Sequence, residues 1–218
     1  MKTLTSFLSL CFFACASHMA SANVPVNPSL ITADTSAIPQ RFRVLIPALE
    51  KYRGEWPLEF LIAWIKKESD GSIASHTSLD ERGYFQLHPD ESKALKVDHE
   101  KLSTDRDYSI YAGVKLVDLR GASAARYAKI LGIDASGEVY LGLTKLMHWL
   151  PYGVENIVEV MKKKEFAPDS WDAFKAFCEE NKDEIQAGIN RKGKWPLERG
   201  IKNADDVLSY ARSINVTP

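Results

Sequence analysis

The sequence predicts a mainly α-helical fold with one small β-hairpin or irregular element. Apolar side chains recur at helical spacing between Pro57 and Glu68, at Leu58, Leu61, Ile62 and Ile65. Further segments with the same period follow along the chain, without an internal repeat or a low-complexity tract. By contrast, residues 69–84 contain two glycines and many polar residues and lack a helical period. The small β or irregular element is therefore expected there.

Individual helices are expected where the apolar period is strongest. The first covers residues 41–53, where Pro47 limits its regularity and Gly54 terminates it. The second begins at Trp56-Pro57, because proline suits the first turn of a helix. The others are expected to begin near residues 89–92 and to span residues 108–120, 123–131, 138–150, 154–164, 170–186 and 203–214.

The N-terminus has the pattern of a secretory signal peptide. Lys2 precedes an apolar run over residues 4–16, and the small residues at 20–22 form a cleavage pattern. The run is shorter than the roughly 20 residues that a membrane-spanning helix needs. We therefore expect export to the periplasm, cleavage after Ala22 and no integral membrane span. A buried N-terminal helix and a lipid anchor at Cys15 are the alternatives.

The remaining chain is expected to form a leader and one domain. Residues 23–40 contain three prolines and many small polar residues, which is typical of an extended leader. Residues 41–218 then form a single domain, within the usual size range for one hydrophobic core. Its last part, about residues 166–218, is expected to be a helical extension with no identifiable chemistry.

Composition narrows the classes of partner. The hydrophobic content of 45% and charged content of 26% are ordinary for a globular protein. A net charge of −1 gives no reason to expect nucleic acid or an anionic membrane surface as partner. Cleavage of the signal peptide would leave only Cys178, a packed helix residue, so no internal disulfide is expected. No metal or cofactor is expected either, because the histidines of the domain lack ligand-like spacing: His76, His88, His99 and His148.

Glu68 is the first candidate for chemistry. It lies three residues after Ile65 and four after Trp64, which places it on the apolar side of the second helix. Desolvation penalises the charged carboxylate, so burial alone predicts a raised pKa and a group able to act as a general acid near neutrality. The alternative is a glutamate at the edge of the apolar stripe, with its carboxylate in water.

Two further segments give Glu68 a context. Residues 68–69 (ES) and 83–89 (GYFQLHP) resemble the Glu-Ser … Gly-Leu-Met-Gln-x-x-Pro pattern of the soluble lytic transglycosylases, in the lysozyme-like superfamily. The spacing also fits, since the glycine follows the glutamate by fifteen positions. Residues 109–116 (SIYAGVKL) resemble that family's Asn-Ile-x-x-Gly-x-x-Tyr-Leu helix. The resemblance covers about residues 41–160.

The resemblance implies a lysozyme-like fold and a set of site residues. Glu68 matches the catalytic glutamate, and Ser69 matches the serine that supports the glutamate and the sugar. Gly83, Tyr84 and Gln86 match the elements lining the cleft, with Gln86 in the substrate-facing position. The implied substrate is peptidoglycan, cleaved without water at the β-1,4 bond between N-acetylmuramic acid and N-acetylglucosamine. The product carries a 1,6-anhydro-muramoyl end.

The chain departs from the family pattern at several positions. Tyr84-Phe85 replaces Leu-Met, so the floor of the cleft is expected to be more aromatic. The family's Ala-Tyr-Asn-Ala-Gly-Pro stretch, whose tyrosine reaches towards the glutamate, is also altered. Met147 and His148 stand where Tyr and Asn are expected. Either His148 or Tyr152 is expected to substitute, or the active site is tuned differently; both residues are assigned to substrate binding.

Two other functions remain open. A hydrolytic muramidase resembling goose-type lysozyme would use a second carboxylate about 5–9.5 Å from the acid, and Asp70, Asp80 and Glu81 are the nearby candidates. A lytic transglycosylase avoids this requirement, because the muramoyl C6 hydroxyl attacks within the same molecule. The altered Met147-His148 region also leaves room for a non-catalytic glycan-binding envelope protein. Any protein partner in the envelope is left open.

Overall fold

The computed structural model describes residues 35–192 and 195–214, and within them the chain forms ten α-helices and one short 3₁₀ helix, Glu100–Ser103. The helices are α1 (Gln40–Arg43), α2 (Ile46–Tyr52), α3 (Leu58–Ser69), α4 (Pro89–Leu95), α5 (Arg106–Leu131), α6 (Glu138–Trp149), α7 (Pro151–Lys163), α8 (Trp171–Glu180), α9 (Lys182–Lys192) and α10 (Leu197–Ser213). The prediction of a mainly helical fold is confirmed. The predicted signal peptide, its cleavage after Ala22, the alternative anchor at Cys15 and most of the leader lie outside the described residues.

The longest helix, α5, is continuous where two helices were predicted. Asp105 caps its start by accepting a hydrogen bond from the backbone N–H of Tyr108. Gly121 lies inside the helix, at a position where the ring of Trp56 occupies the space that a Cβ atom would fill. The glycine therefore permits close packing of an aromatic ring and does not end the helix. The helix ends at Gly132, in the left-handed conformation.

The helix α3 forms the centre of the core. Its side chains from Phe60 to Ile65 are almost completely buried, and α3 packs against α2 and α10. It ends where Asp70 adopts a left-handed conformation with φ of 50°, and the Asp70 N–H donates to the carbonyl of Lys66. The last turn of α3 thus lies at the boundary between the core and the following loop. Glu68 and Ser69 are in this turn.

The C-terminal helices belong to the same compact unit as the rest of the described chain. The predicted helix over residues 170–186 is two helices, α8 and α9, and α10 begins six residues before its predicted start. The helix α10 packs against both α3 and α6. Trp171 of α8 packs against Gly142 of α6, and its Nε1–H donates to Asp205 of α10 at 2.9 Å. This part of the chain therefore supports the helices that carry the candidate site.

The loop after α3 holds a small irregular β element, as predicted. It consists of two isolated antiparallel bridges, His76 with Arg82 and Arg82 with Leu87, and the described residues form no longer strand. Across all the residues that the structure describes, no helix combines the length and the apolar character that crossing a bilayer requires.

Candidate active site

Glu68 lies in the last turn of α3, with its side chain turned into the protein. Its side chain is 17% exposed, and the side chains that precede it by three and four positions, Ile65 and Trp64, are fully buried. The helical period therefore placed this carboxylate correctly, on the apolar side and not in bulk water. What the carboxylate can do depends on the groups that surround it there.

The nearest group is a lysine that the sequence reasoning missed. Lys145 of α6 is completely buried, and its Nζ donates a hydrogen bond to Oε1 of Glu68. The same ammonium lies 4.4 Å from the centroid of the Trp64 ring, which adds a cation–π contact. Glu68 and Lys145 form an ion pair in the interior, where neither charge is well solvated.

This ion pair changes the acid strength of both groups. Burial alone would raise the pKa of Glu68, but the charges of Lys145 and His148 and the hydrogen bond from Lys145 outweigh burial, and the pKa lies below its ordinary value. The prediction of a raised pKa is therefore wrong. For Lys145, burial lowers the pKa, and the attraction of Glu68 offsets only part of that effect.

His148 lies between two carboxylates. Its Nε2 is 3.9 Å from Oε1 of Glu68, and its Nδ1 is 3.5 Å from Oε1 of Glu91. The imidazole is 10% exposed and packs beside the ring of Trp64, with ring centroids 5.4 Å apart. It follows Lys145 by three positions in α6, so both side chains project from the same face of that helix towards α3.

Glu91 anchors the other side of this arrangement. Its carboxylate accepts hydrogen bonds from Arg120 of α5 and, at 3.0 Å, from the backbone N–H of His88 at the start of α4. Burial favours a higher pKa for Glu91, but the nearby His148, the charge of Arg120 and the hydrogen bond from the His88 N–H lower it to about 2. Four helices thus contribute to one buried charge cluster, consisting of Glu68, Glu91, Arg120, Lys145 and His148.

Ser69 connects the end of α3 to the following loop. Its hydroxyl donates to the carbonyl of Tyr84 at 2.9 Å and lies 3.2 Å from the carbonyl of Ile65. The backbone N–H of Tyr84 in turn donates to Oγ of Ser109 on α5, at 3.1 Å. Two serines, one on each helix, therefore fix the position of the same loop residue. The side chain of Tyr84 is itself buried.

Gly83 and Gln86 hold this loop in its shape. Gly83 has a φ of +74°, and a Cβ atom there would meet the carbonyl of Leu102 and Oγ of Ser109. Gln86 is 3% exposed, and its Nε2 donates to the carbonyls of Ser75 at 2.8 Å and Gly83 at 2.7 Å. In this conformation the glutamine stabilises the loop from inside. Its assignment to substrate binding stays a prediction.

The other predicted residues occupy the periphery. Tyr152 is 46% exposed at the start of α7, so of the two candidates to replace the family's tyrosine it is His148 that lies beside Glu68. Asp70 is exposed and paired with Lys66 and Arg41, and Asp80 is paired with Arg82. The carboxylate that the structure places near Glu68 is Glu91, on the other side of His148.

Two surface depressions lie on other parts of the described chain. One is lined by Lys164 and residues 179–184, and the other by residues of α7 and α9, so neither includes the buried charge cluster. The residues described by the structure contain no group of three His, Cys, Asp or Glu side chains arranged to bind a metal ion.

Comparison with known proteins identifies no relative, since no family model, curated protein or solved structure matches the chain.

Proposed function

We propose that this chain is a lytic transglycosylase of lysozyme-like fold that acts on peptidoglycan glycan strands. The supporting observation is that the three segments carrying the sequence resemblance lie together. Ser69 at the end of α3 is hydrogen-bonded to the loop at Tyr84, and that loop is hydrogen-bonded to Ser109 of α5. Phe85 of the same loop packs against Gly113, in the third segment. The resemblance therefore comes from segments that form one part of the structure around the end of α3.

Glu68 has the central role in the proposed reaction. The carboxyl group passes a proton to the oxygen that links the two amino sugars, and the bond from that oxygen to the anomeric carbon of the muramoyl residue breaks. The C6 hydroxyl oxygen of the same residue attacks the anomeric carbon, and its proton returns to Glu68. An intramolecular attack of this kind can proceed as fast as attack by an external nucleophile present at an effective concentration of about 10⁵ M or more. The 2-acetamido group of the substrate can support the cationic centre.

The location and the cofactor requirement of the proposed enzyme are inferred from the sequence and from the proposed chemistry. The predicted signal peptide would direct export of the domain to the periplasm, where glycan strands are the substrate. The chemistry uses one carboxylate and a hydroxyl of the substrate, so the proposal assigns no metal and no cofactor. Hydrolysis by a muramidase of the same fold would use water in place of the C6 hydroxyl, together with a second carboxylate.

A second candidate function is favoured by the Lys145–Glu68 ion pair. An ionised carboxylate that accepts a hydrogen bond from a buried ammonium has no proton of its own to deliver. If no proton reaches it, the chain would bind glycan strands without cleaving them, as an envelope protein. In that function the buried charge cluster would serve the conformation of the domain alone.

Digestion of purified sacculi separates these functions. Mass spectrometry of the released muropeptides should show 1,6-anhydro ends for the transglycosylase, whereas reducing ends would indicate the muramidase. Co-sedimentation with sacculi without any cleavage would support the non-catalytic function and overturn the proposal. Glu68→Gln should abolish release, and Glu59→Gln on the same helix serves as the matched control. Normal release by Glu68→Gln would show that another group is the acid.

A further inference from the structure

Lys145 is the feature of the buried charge cluster that the proposed reaction does not yet use. It is completely buried, and its ammonium contacts the carboxylate of Glu68 and the face of Trp64. Burying an ammonium is unfavourable unless a partner compensates, and an apolar side chain would fill the same space more cheaply. A lysine that contacts the proposed catalytic carboxylate therefore calls for a chemical reason.

The charges around this pair come from all the helices that enclose it. Besides Lys145 and Glu68 they are Lys67 on α3, Glu91 on α4, Arg120 on α5 and His148 on α6. Lys67 is itself paired with Asp206 of α10, at 2.8 Å. Glu91 is held by Arg120 and lies beyond His148. Among the described residues, Glu68 is the only carboxylate within 4 Å of the Lys145 ammonium.

The pair holds one transferable proton in its resting state. Nζ donates a hydrogen bond to Oε1; burial favours a higher pKa for Glu68, but the charges of Lys145 and His148 lower it, which favours the form with the carboxylate ionised and the proton on the ammonium. Burial also lowers the pKa of Lys145, so this ammonium releases its proton more readily than a lysine in water. Transfer from Nζ to Oε1 along the existing hydrogen bond converts the ion pair into a neutral amine and a neutral acid. In a buried site that transfer removes two poorly solvated charges.

We infer that Lys145 holds the proton that Glu68 delivers to the glycan, so that the two side chains act together as one acid and then as one base. This inference rests on the proposed function. The proton moves from Nζ to Oε1, then from Glu68 to the bridging oxygen as the glycosidic bond breaks. The proton of the attacking C6 hydroxyl then moves to Glu68 and back to Nζ, so the pair ends as it began. Lys145 acts through Glu68 and is a positioning residue in this reaction.

Two variants distinguish a proton donor from a structural charge. In Lys145→Met the side chain keeps a similar length and loses the proton, so Glu68 must carry its own. In Lys145→Arg the positive charge stays, but a guanidinium does not release its proton in proteins. If Lys145 supplies only a positive charge, arginine should preserve activity. If Lys145 supplies a proton, arginine should not preserve it.

The dependence of cleavage on pH is the first readout. We expect Lys145→Met to cleave sacculi at acidic pH and to lose activity at a pH at least about two units lower than the wild type does. At a pH above both of these limits, the cleavage rate of Lys145→Met should be about 100-fold lower than that of the wild type. We expect Lys145→Arg to be folded and inactive throughout the range. A Lys145→Met profile that is uniformly lower but unchanged in shape, or restored activity in Lys145→Arg, would overturn the inference.

Titration of Glu68 by NMR is the second readout and needs no activity. Glutamate side chains are labelled with ¹³C, and Glu68→Gln assigns the signal of Glu68. In the wild type at pH 7, the chemical shift of the Glu68 carboxyl carbon should be that of an ionised carboxylate. In Lys145→Met its midpoint should move to higher pH. A protonated Glu68 in the wild type at pH 7 would overturn the inference. If the wild type cleaves nothing, the proposed function fails together with the transfer to glycan, while the titration still decides whether Lys145 keeps Glu68 ionised.

Discussion

Lys145 and Glu68 are hydrogen-bonded to each other in the interior, although 77 positions separate them in the sequence. The contact joins α6 to the last turn of α3, where Glu68 follows an apolar helix face and Lys145 shares its face of α6 with His148. Each charge is tolerated there only because the other is present. The pair therefore couples the stability of the domain to the ionisation of its candidate catalytic residue.

Removing one member of this pair is expected to destabilise the domain at neutral pH. Lys145→Met leaves the Glu68 carboxylate buried without its partner, so the free energy of unfolding should fall by about 3–5 kcal/mol. The loss should be smaller at pH 5, because protonation of Glu68 removes the unpaired charge. The double variant Lys145→Met with Glu68→Gln should recover part of it, and a double-mutant cycle by urea unfolding measures the coupling. Additive effects of the two substitutions would contradict the ion pair.

The sequence could predict the position of Glu68 but not its ionisation state. The helical period fixes which side of α3 the carboxylate faces, since that depends only on local geometry. The pKa depends on which charges approach from other helices, and Lys145 enters from a segment far along the chain. One signal was available, because a lysine in the apolar stretch LGLTKLMHWL, three positions before His148, must share a buried helix face with it.

Glu91 is expected to make the domain sensitive to acid. Its folded pKa of about 2 lies below the ordinary value of 4.5, so the ionised form is stabilised in the native state. The contribution is present above the unfolded pKa and is lost as pH falls from about 4.5 to about 2, and it amounts to roughly 3 kcal/mol at about 1.4 kcal/mol per pKa unit. Chemical denaturation between pH 2.5 and 7 measures it.

Glu91→Gln provides the test of that assignment. The amide cannot titrate, so the variant should be less stable at pH 7 and should lose less stability than the wild type on acidification. Part of the acid dependence should remain, because the pKa of Glu68 is also lowered. Glu159→Gln, at an exposed position of α7, is the matched control and should follow the wild-type curve. An acid dependence that is identical in Glu91→Gln and the wild type would exclude Glu91 as its source.

The packing of Phe85 on Gly113 is expected to make that glycine indispensable. In an open helix, alanine is about 1 kcal/mol more favourable than glycine, but a Cβ atom at Gly113 would overlap the buried Phe85 ring. Gly113→Ala should therefore destabilise the domain, by about 1–3 kcal/mol as for other overpacked cores. Adding Phe85→Leu should restore part of the loss. Gly137→Ala, where the nearest atom is 3.8 Å away, is the control, and thermal unfolding gives the comparison. Equal stability of the two alanine variants would contradict the close packing.

The same kind of contact explains where prediction of the helices failed. Separate helices were expected over residues 108–120 and 123–131, and Gly121 falls in the gap between them. Gly121 instead admits the ring of Trp56, which stacks on Tyr140, and α5 continues. Whether a glycine ends a helix or admits a neighbour is decided by a residue distant in sequence. Local patterns gave the helical class and the small β element because both follow from periodicity and turn residues.

The hydroxyl of Ser69 is expected to stabilise the domain and to hold the loop against α3. Its bond to the carbonyl of Tyr84 is buried, so Ser69→Ala should lower the free energy of unfolding by about 1 kcal/mol. Ser123→Ala removes a hydroxyl whose hydrogen bonds, to the carbonyl of Leu119 and from the guanidinium of Arg126, both stay within α5, and it should have a smaller effect. If the loop lines the proposed cleft, Ser69→Ala should also weaken glycan cleavage, whereas Ser123→Ala should not. Hydrogen exchange at the amide of Tyr84 should be faster in Ser69→Ala alone, and unchanged exchange there would show that the serine does not fix the loop.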